Sequence, residues 1–157
     1  MCIADDTLFG RDADVGREFI KMHVVYLEHI CYRIVLACMN MSKRKVGALI
    51  VIERTTPLDD IADTGDKIDA NINQRLIENI FFKNSPLHDG AMVISRQRIK
   101  AAGCILPVSH SLDIPKELGL RHRAAMGMSQ DSDAVVIVVS EETGGITVAL
   151  KLLLIHI

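Results

Sequence analysis

Alternating runs of apolar and polar residues divide this chain into helices and strands. From Ile20 to Met41, apolar residues recur at spacings of three and four, which is the stripe of an amphipathic helix. The basic run 42–45 fits the C-terminus of that helix, where cations interact favourably with the helix dipole. The run 46–53 is continuously apolar and rich in β-branched residues, which indicates a central strand covered on both faces. This combination predicts an α/β arrangement and not a helical bundle.

The rest of the pattern adds shorter elements of both kinds, and Asn73 is well placed to cap one of the helices. These elements lie, in chain order, at 58–64 (a short helix), 67–72 (extended), 74–82 (a helix), 91–95 and 99–106 (a hairpin), 115–128 (helical, interrupted at Gly119), 134–139 and 146–150 (strands). We therefore expect an α/β fold: a single domain with a central mixed β-sheet of four to seven strands, flanked by helices. Residues 1–18 are expected to be a poorly ordered lead-in, and residues 19–157 the domain itself.

Composition agrees with one ordinary globular domain. A chain of 157 residues with 49% hydrophobic content is long enough to bury roughly 70% of its unfolded surface without disulfides or a structural metal. A net charge of −2 argues against a broad basic face, so we expect no nucleic-acid partner. The four cysteines lack CxxC spacing and three lie in apolar runs, which predicts reduced, buried thiols; they are Cys2, Cys31, Cys38 and Cys104.

The N-terminal third indicates a cytoplasmic chain. The longest apolar region, residues 19–41, is interrupted by charged residues, which excludes a membrane span. The acidic residues before it do not resemble a signal peptide. The chain is also compatible with a piece of a longer protein that is anchored to the cell membrane by segments absent here.

The first candidate for chemistry is the loop 86–91, between a predicted helix and a predicted strand. Gly90 permits close approach of a ligand or of another backbone segment. His88 and Asp89 offer an imidazole nitrogen and carboxylate oxygens to a divalent metal, and a carboxylate is also able to act as a general base towards a hydroxyl. An ordinary turn or cap role for Asp89 is the competing interpretation.

The second candidate is the cluster Arg121-His122-Arg123 at a loop-to-helix boundary. Its two arginines are separated by about 200° around a regular helix axis, so they share a ligand only at a helix entrance. Arginine side chains together with a helix N-terminus suit phosphate groups. The alternative is a solvated charge pair.

The third candidate, residues 140–145, joins two predicted strands. The bland interpretation is a polar hairpin turn. The functional one is a site rim that offers the Ser140 hydroxyl and the Glu142 carboxylate at the end of a strand, where ligands of α/β sheets tend to bind. The sequence contains no GxxxxGKS phosphate loop, GxGxxG or HExxH motif.

Taken in order and spacing, the segments Leu87–Ala91, Gly119–Ala125 and Val139–Gly145 resemble the diadenylate cyclase domain, most closely that of the membrane-associated class. The likeness begins near the helix before 47–53 and runs to about Leu150. It implies condensation of two ATP into cyclic di-AMP and two pyrophosphates, with a divalent metal, Mg or Mn. Because two ATP molecules must face each other, the implied working unit is a homodimer in which each chain presents one ATP. A membrane tether and a regulator acting through segments absent here are also implied.

The resemblance also implies roles for individual residues, with Asp89 activating the ribose 3′-hydroxyl. The implied catalytic residues are Asp89, Gly90, Arg121, His122 and Arg123. The implied ATP-binding residues are Gly90, Ala91, Leu106, Arg121, His122, Arg123, Ser140 and Glu142. The implied metal ligands are His88, Asp89 and Glu142.

Two features depart from the family pattern. Leu120 stands where many members carry threonine, so a hydroxyl contact is lost there. The C-terminal residues 151–157 are apolar, which is compatible with an extra strand, a truncation or a partner surface. These departures keep open a second interpretation, a non-catalytic module that senses ATP or a cyclic dinucleotide.

Overall fold

The structure, a computed structural model, describes residues 12–109, 118–151 and 153–157. Within these ranges the helices are α1 (Asp12–Lys43), α2 (Asp59–Ala62), α3 (Gln74–Ile80) and α4 (Leu120–Asp131). The strands are β1 (Ala48–Ile52), β2 (Asp66–Asn71), β3 (Ala91–Ser95), β4 (Arg98–Cys104), β5 (Val135–Val139), β6 (Ile146–Leu150) and β7 (Leu153–His156).

The strands form one seven-stranded mixed sheet in the order β2-β4-β3-β1-β5-β6-β7. β1 and β3 are parallel, whereas the other neighbouring pairs are antiparallel. The apolar run that predicted a central strand is indeed β1, which lies in the middle of the sheet. The prediction of a single α/β domain with a mixed sheet flanked by helices is confirmed.

Helices cover both faces of the sheet. Alternate residues of β1 serve the two faces: Leu49 and Val51 join the core under α2 and α4, whereas Ala48 and Ile50 join the core under α1 and α3. Both cores are therefore built around the same strand. This explains why its sequence is apolar at successive positions and does not alternate.

Local signals fix two of the connections. The Asn73 side chain caps α3 by accepting a hydrogen bond from the backbone N–H of Arg75 at 2.9 Å. The turn between β3 and β4 places Arg96 and Gln97 at φ of 48° and 63°, as a tight two-residue hairpin connection requires. The predicted hairpin is confirmed.

The long helix differs from its prediction at both its start and its packing. It begins at Asp12, so residues 12–18 of the expected lead-in are helical, which suits acidic residues near a helix N-terminus. Residues 1–11 lie outside the described residues. A 32-residue helix is about 48 Å long, whereas a five-residue strand spans only about 17 Å. The helix therefore projects past the sheet, and its described buried residues begin at Ile34.

This projection corrects the prediction for one cysteine. Cys31 lies on the projecting part of α1 and is exposed, whereas Cys38 and Cys104 are buried free thiols. Burial raises the pKa of each of these two thiols to about 11. Cys2 and the predicted helical start at 115 lie outside the described residues. Among the helices described, none has a long enough apolar stretch to cross a membrane.

Candidate active site

A cleft of about 890 Å³ lies beside α4 at one end of the sheet. Its walls come from the segment before β3, the segment after β4, the first turn of α4 and the segment after β5. These are the places where the sequence carries its three polar clusters. The fold therefore brings together groups that are about thirty and fifty residues apart in the chain.

The His88-Asp89-Gly90 loop reaches the cleft through an unusual backbone turn. Gly90 has a φ of +121°, and a Cβ there would lie 2.7 Å from the carbonyl carbon of Gly103 and 2.9 Å from the carbonyl oxygen of Cys104. A residue with a side chain is excluded by both the conformation and the close approach. This glycine sets the position of Asp89, which is exposed at the rim of the cleft.

The orientation of His88 is fixed by its own loop. Its Nδ1 lies 2.7 Å from the carbonyl oxygen of Ser85. Because a carbonyl only accepts hydrogen bonds, Nδ1 must carry the proton, and Nε2 of the neutral ring keeps its lone pair. This is the tautomer that a metal-ligating histidine requires.

The first turn of α4 carries Arg121 into the cleft. Its N-cap, Gly119, provides no side-chain cap, so the first backbone N–H groups of the helix are available to an anion. The Arg121 guanidinium forms an ion pair with Glu141, with 3.1 Å between Nη1 and Oε2. It passes directly over Gly47, where a Cβ would lie 2.8 Å from its Cζ. The guanidinium is thus held between the Glu141 carboxylate and Gly47, whose lack of a side chain leaves room for it.

His122 differs from the two arginines beside it because it is buried, with 6% of its surface exposed. Burial lowers the pKa of this imidazole, and the nearby His156 lowers it further, whereas Glu142 opposes the shift. The ring is therefore neutral at pH 7. It suits hydrogen bonding better than charge neutralisation of a phosphate.

Two predicted site residues are neighbours of the cleft segments but are not part of the described lining. Arg123 and Ala91 do not contribute to the described lining of the cleft. Ala91 is fully buried in β3. The backbone carbonyl of Arg123 accepts a hydrogen bond from the N–H of Ser109 at 3.0 Å. The other predicted site residues line the cleft: His88, Asp89, Gly90, Leu106, Arg121, His122, Ser140 and Glu142.

The turn between β5 and β6 is organised by the Ser140 hydroxyl. Its oxygen accepts hydrogen bonds from the backbone N–H groups of Glu142 and Thr143, at 3.3 Å and 3.2 Å. The hydroxyl proton remains available for donation to an anionic oxygen in the cleft. The turn is also tied to the end of α1, because Ser42 Oγ donates a hydrogen bond of 2.6 Å to the carbonyl of Gly144.

The donor set of the cleft suits a divalent cation shared with a substrate. His88, Asp89 and Glu142 all line it, and they supply an imidazole nitrogen and carboxylate oxygens. In the described part of the chain, no group of three or more histidine, cysteine, aspartate or glutamate side chains forms a complete metal site. Magnesium is commonly held by one or two carboxylates together with substrate phosphates, and this set fits such a mode.

Sequence reasoning missed four residues at the site. Gly47 and Glu141 surround Arg121, and Thr147 and His156 line the cleft from β6 and β7. The polar run 140–145 already contained Glu141, but no local signal pairs it with Arg121. The other three depend on strand order, which the sequence pattern leaves open.

The fold is an α/β domain with a cleft lined by arginine, histidine, serine and carboxylate side chains, and comparison with known proteins identifies its family. The DAC family, described as DisA bacterial checkpoint controller nucleotide-binding, matches residues 35–152. The chain belongs to this family.

Named relatives of the chain are synthases of a cyclic dinucleotide. The chain is 51% identical to the cyclic di-AMP synthase CdaA of Bacillus subtilis over 109 residues, which is 69% of this chain and 40% of that protein. It is 48% identical over 119 residues to a diadenylate cyclase of Listeria monocytogenes, covering 76% of this chain and 44% of the relative. The chain therefore spans about two fifths of the length of these curated relatives.

Two solved structures are similar to this chain in both fold and sequence. A double mutant of DacA from Staphylococcus aureus is similar, with a TM-score of 0.81 and 47% identity, covering 82% of this chain and 86% of that one. A hypothetical membrane spanning protein from Bacillus cereus is similar with a TM-score of 0.78 and 44% identity, covering 81% and 62%.

Proposed function

We propose that this chain is the catalytic part of a diadenylate cyclase, which condenses two ATP into cyclic di-AMP and two pyrophosphates. The observation that carries the proposal is the convergence of Asp89, Arg121 and Ser140 on one cleft. Family membership and the names of the relatives support it. The reaction attacks the α-phosphate of each ATP with the 3′-hydroxyl of the other and releases pyrophosphate.

Each group has a task that its surroundings suit. Asp89, at the rim, accepts the proton of the attacking 3′-hydroxyl. Arg121 and the first N–H groups of α4 bind phosphate oxygens, where negative charge develops. Ser140 donates its free hydroxyl proton to another oxygen, and the neutral His122 orients the nucleotide by hydrogen bonding. Arg123 is proposed to bind phosphate as well, and Ala91 to contact the ATP, although neither belongs to the described cleft lining.

A divalent metal, Mg or Mn, is part of the proposal. His88, Asp89 and Glu142 would hold it together with phosphate oxygens of ATP. Bound there, it would neutralise phosphate charge and polarise the phosphoryl group. The Nε2 lone pair that the Ser85 contact leaves on His88 supports this assignment.

The working unit is proposed to be two chains face to face. Each described cleft suits one nucleotide, and a cyclic product requires two nucleotides in opposite orientation. Ile105 and Leu120 line the cleft although they are 70% and 77% exposed, which gives it an apolar rim that a second chain would cover. Enzyme that remains strictly monomeric during turnover would contradict this arrangement.

A membrane tether and a regulator are further parts of the proposal. The chain corresponds to about two fifths of the CdaA sequence, and a similar structure is described as a membrane spanning protein. We propose that the complete protein is anchored to the cell membrane with this domain on the cytoplasmic side. Segments outside this chain would carry the anchor and receive the regulator.

The test is incubation with ATP and either magnesium or manganese, followed by mass spectrometry for cyclic di-AMP. Asp89→Asn is expected to abolish product while the fold and most ATP binding remain, because Asp89 is exposed and its isostere removes only the charge. Asp131→Asn makes the same change at an exposed aspartate outside the described cleft lining, and it should retain activity. Full activity of Asp89→Asn would refute its assigned role.

A nucleotide sensor is the second candidate, and Leu120 favours it. This side chain is 77% exposed at the cleft, and it cannot supply the hydroxyl expected there. ATP or cyclic di-AMP binding without product under either metal would support the sensor.

A further inference from the structure

The last described strand, β7, lies after the residues that the family matches, and it contributes to the lining of the cleft. The match ends at residue 152, whereas β7 begins at Leu153 and pairs antiparallel with β6 at the edge of the sheet. Nothing in the comparisons or in the sequence motifs assigns a role to this strand. One of its residues, His156, nevertheless lines the same cleft as Asp89 and Arg121.

Alternation along β7 turns His156 towards the cleft. Leu154 packs against the core cluster that also contains residues of α4. Because His156 lies two residues further along the strand, it projects to the same face. Leu153 and Ile155 project to the opposite face and are 64% and 52% exposed. The packing of Leu154 thus fixes which way the histidine points.

A hydrogen bond to Thr147 orients the imidazole. Thr147 is directly opposite His156 in the strand register, and its Oγ1 lies 2.8 Å from Nδ1. Thr147 is only 2% exposed, and no other side-chain hydrogen bond of its hydroxyl occurs among the described residues. A buried hydroxyl needs an acceptor for its proton, and Nδ1 supplies one. In the neutral ring the proton then lies on Nε2, so the free edge of His156 is a hydrogen-bond donor.

The cleft that contains the ring holds hydrogen-bond donors and cations together with the carboxylates of Asp89, Glu141 and Glu142. His156 is close enough to His122 to lower the pKa of that imidazole, and burial of His122 acts in the same direction. Ser140, with its available hydroxyl proton, and Arg121 line the same cleft. The donors of the cleft thus come from α4, from the β5–β6 turn and from the edge strand.

We propose that His156 binds the nucleotide by donating its Nε2–H to a phosphate oxygen, and that Thr147 positions the ring for this contact. The inference rests on the proposed function only in that the ligand is a nucleotide. The ligand chemistry is a phosphate oxygen, which both ATP and the cyclic product carry. His156 would thus be a nucleotide-binding residue in a strand that lies outside the family match.

Calorimetric titration of the full chain tests the proposal with ATP and with cyclic di-AMP as separate probes. His156→Ala is expected to weaken ATP binding by about 10- to 100-fold, the usual effect of losing a hydrogen bond to a charged group. His156→Gln should recover much of the affinity, because its amide N–H reaches about the same point as the ring Nε2. His29→Ala, which changes an exposed histidine on α1 outside the described cleft lining, should bind as the parent does.

The two probes separate the sources of the phosphate contact. Loss of affinity for ATP alone assigns the contact to the β- or γ-phosphate, whereas loss for both probes assigns it to the phosphate retained in the product. Unchanged affinity of His156→Ala for both probes would overturn the proposal, and so would a loss that glutamine does not reduce at all. Hydrogen exchange of the β6 and β7 amides in each variant checks that β7 remains paired.

Binding and turnover are scored separately. A parent chain that binds ATP but makes no cyclic di-AMP fails the cyclase proposal, and its titrations still decide the role of His156. If the parent makes product and His156→Ala binds and reacts as the parent does, only the proposed role of His156 is refuted. A parent that binds neither probe refutes both.

Discussion

Gly47→Ala is expected to damage catalysis without damaging the fold. In the structure, a Cβ at this position would lie 2.8 Å from both Cζ and Nη1 of Arg121, and 3.1 Å from Oε2 of Glu141. Gly47 does not have a left-handed backbone conformation, so alanine introduces no backbone strain. The atoms in its way are the far ends of two flexible side chains. The guanidinium must therefore move, while the backbone at position 47 stays where it is.

The size of the movement follows from ordinary contact distances. Non-bonded carbon atoms separate to about 3.5–4.0 Å, so the guanidinium must retreat by about 1 Å. The ion pair of 3.1 Å between Arg121 and Glu141 does not survive unchanged. A misplacement of about 1 Å in a catalytic site can cost about 10²-fold in rate. We expect kcat/KM to fall by about 10- to 100-fold on that basis.

The free energy of unfolding of Gly47→Ala should change little, and it should rise slightly although the catalytic rate falls. Replacing a compatible glycine by alanine stabilises a protein by about 0.4–1 kcal/mol, chiefly because the unfolded chain loses conformational freedom. Weakening an ion pair whose arginine is mostly covered and whose Glu141 carboxylate is 60% exposed offsets part of this gain. Urea unfolding should therefore place the variant close to the parent chain.

A double-mutant comparison decides whether Gly47 acts through Arg121. Initial rates of cyclic di-AMP formation are measured for the parent, Gly47→Ala, Arg121→Ala and the double variant. If the glycine serves only to make room for the guanidinium, alanine at position 47 has almost no further effect once Arg121 is gone. An equal loss of rate in both backgrounds would refute the reasoning, as would a free energy of unfolding lowered by several kcal/mol.

Two further predictions concern the scaffold. The backbone N–H of Thr56 and then that of Thr55 hold the pKa of Asp133 well below its usual range, so its ionised form favours the folded state. Asp133→Asn should therefore be less stable than the parent at pH 7 in urea unfolding, with a difference that shrinks as the pH falls below about 4; a constant difference would contradict this. Asn73→Ala should lower the free energy of unfolding by about 1 kcal/mol, because the backbone N–H of Arg75 loses its acceptor at the start of α3. Asn73→Ser should lower it much less, since a serine hydroxyl also caps a helix. Equal losses in the two variants would exclude capping as the cause.

Local patterns were sufficient for most of the fold. Residues 46–53 predicted a central strand because apolar residues on successive positions have to be covered on both sides, and β1 is central. The Asn73 cap and the Arg96-Gln97 turn were also predictable, because each involves only backbone groups that are close in the sequence. The extent of α1 was not predictable in this way, because burial of its residues depends on how far the sheet reaches along it.

The site residues also fall into those that local sequence predicts and those that depend on the whole fold. His88, Asp89 and Ser140 stood out because polar residues beside buried strands mark strand ends, and all three line the cleft. Gly47 and Thr147 gave no such signal. Their importance arises from which strands are neighbours, and the order in the sheet places β1 beside β5 and β6 beside β7. Strand order is a property of the whole chain, so no window of sequence contains it.

The hydrogen bond between Ser42 and Gly144 makes the end of α1 and the turn that carries Ser140 and Glu142 one mechanical unit. The contact is tight, since a Cβ on Gly144 would lie 2.6 Å from the Ser42 carbonyl oxygen, so the turn cannot slide along the helix. α1 extends about 45 Å from this joint to Asp12, and its described buried residues begin only at Ile34. A displacement of the C-terminal turn of α1 would therefore be shared by the turn that carries Ser140 and Glu142.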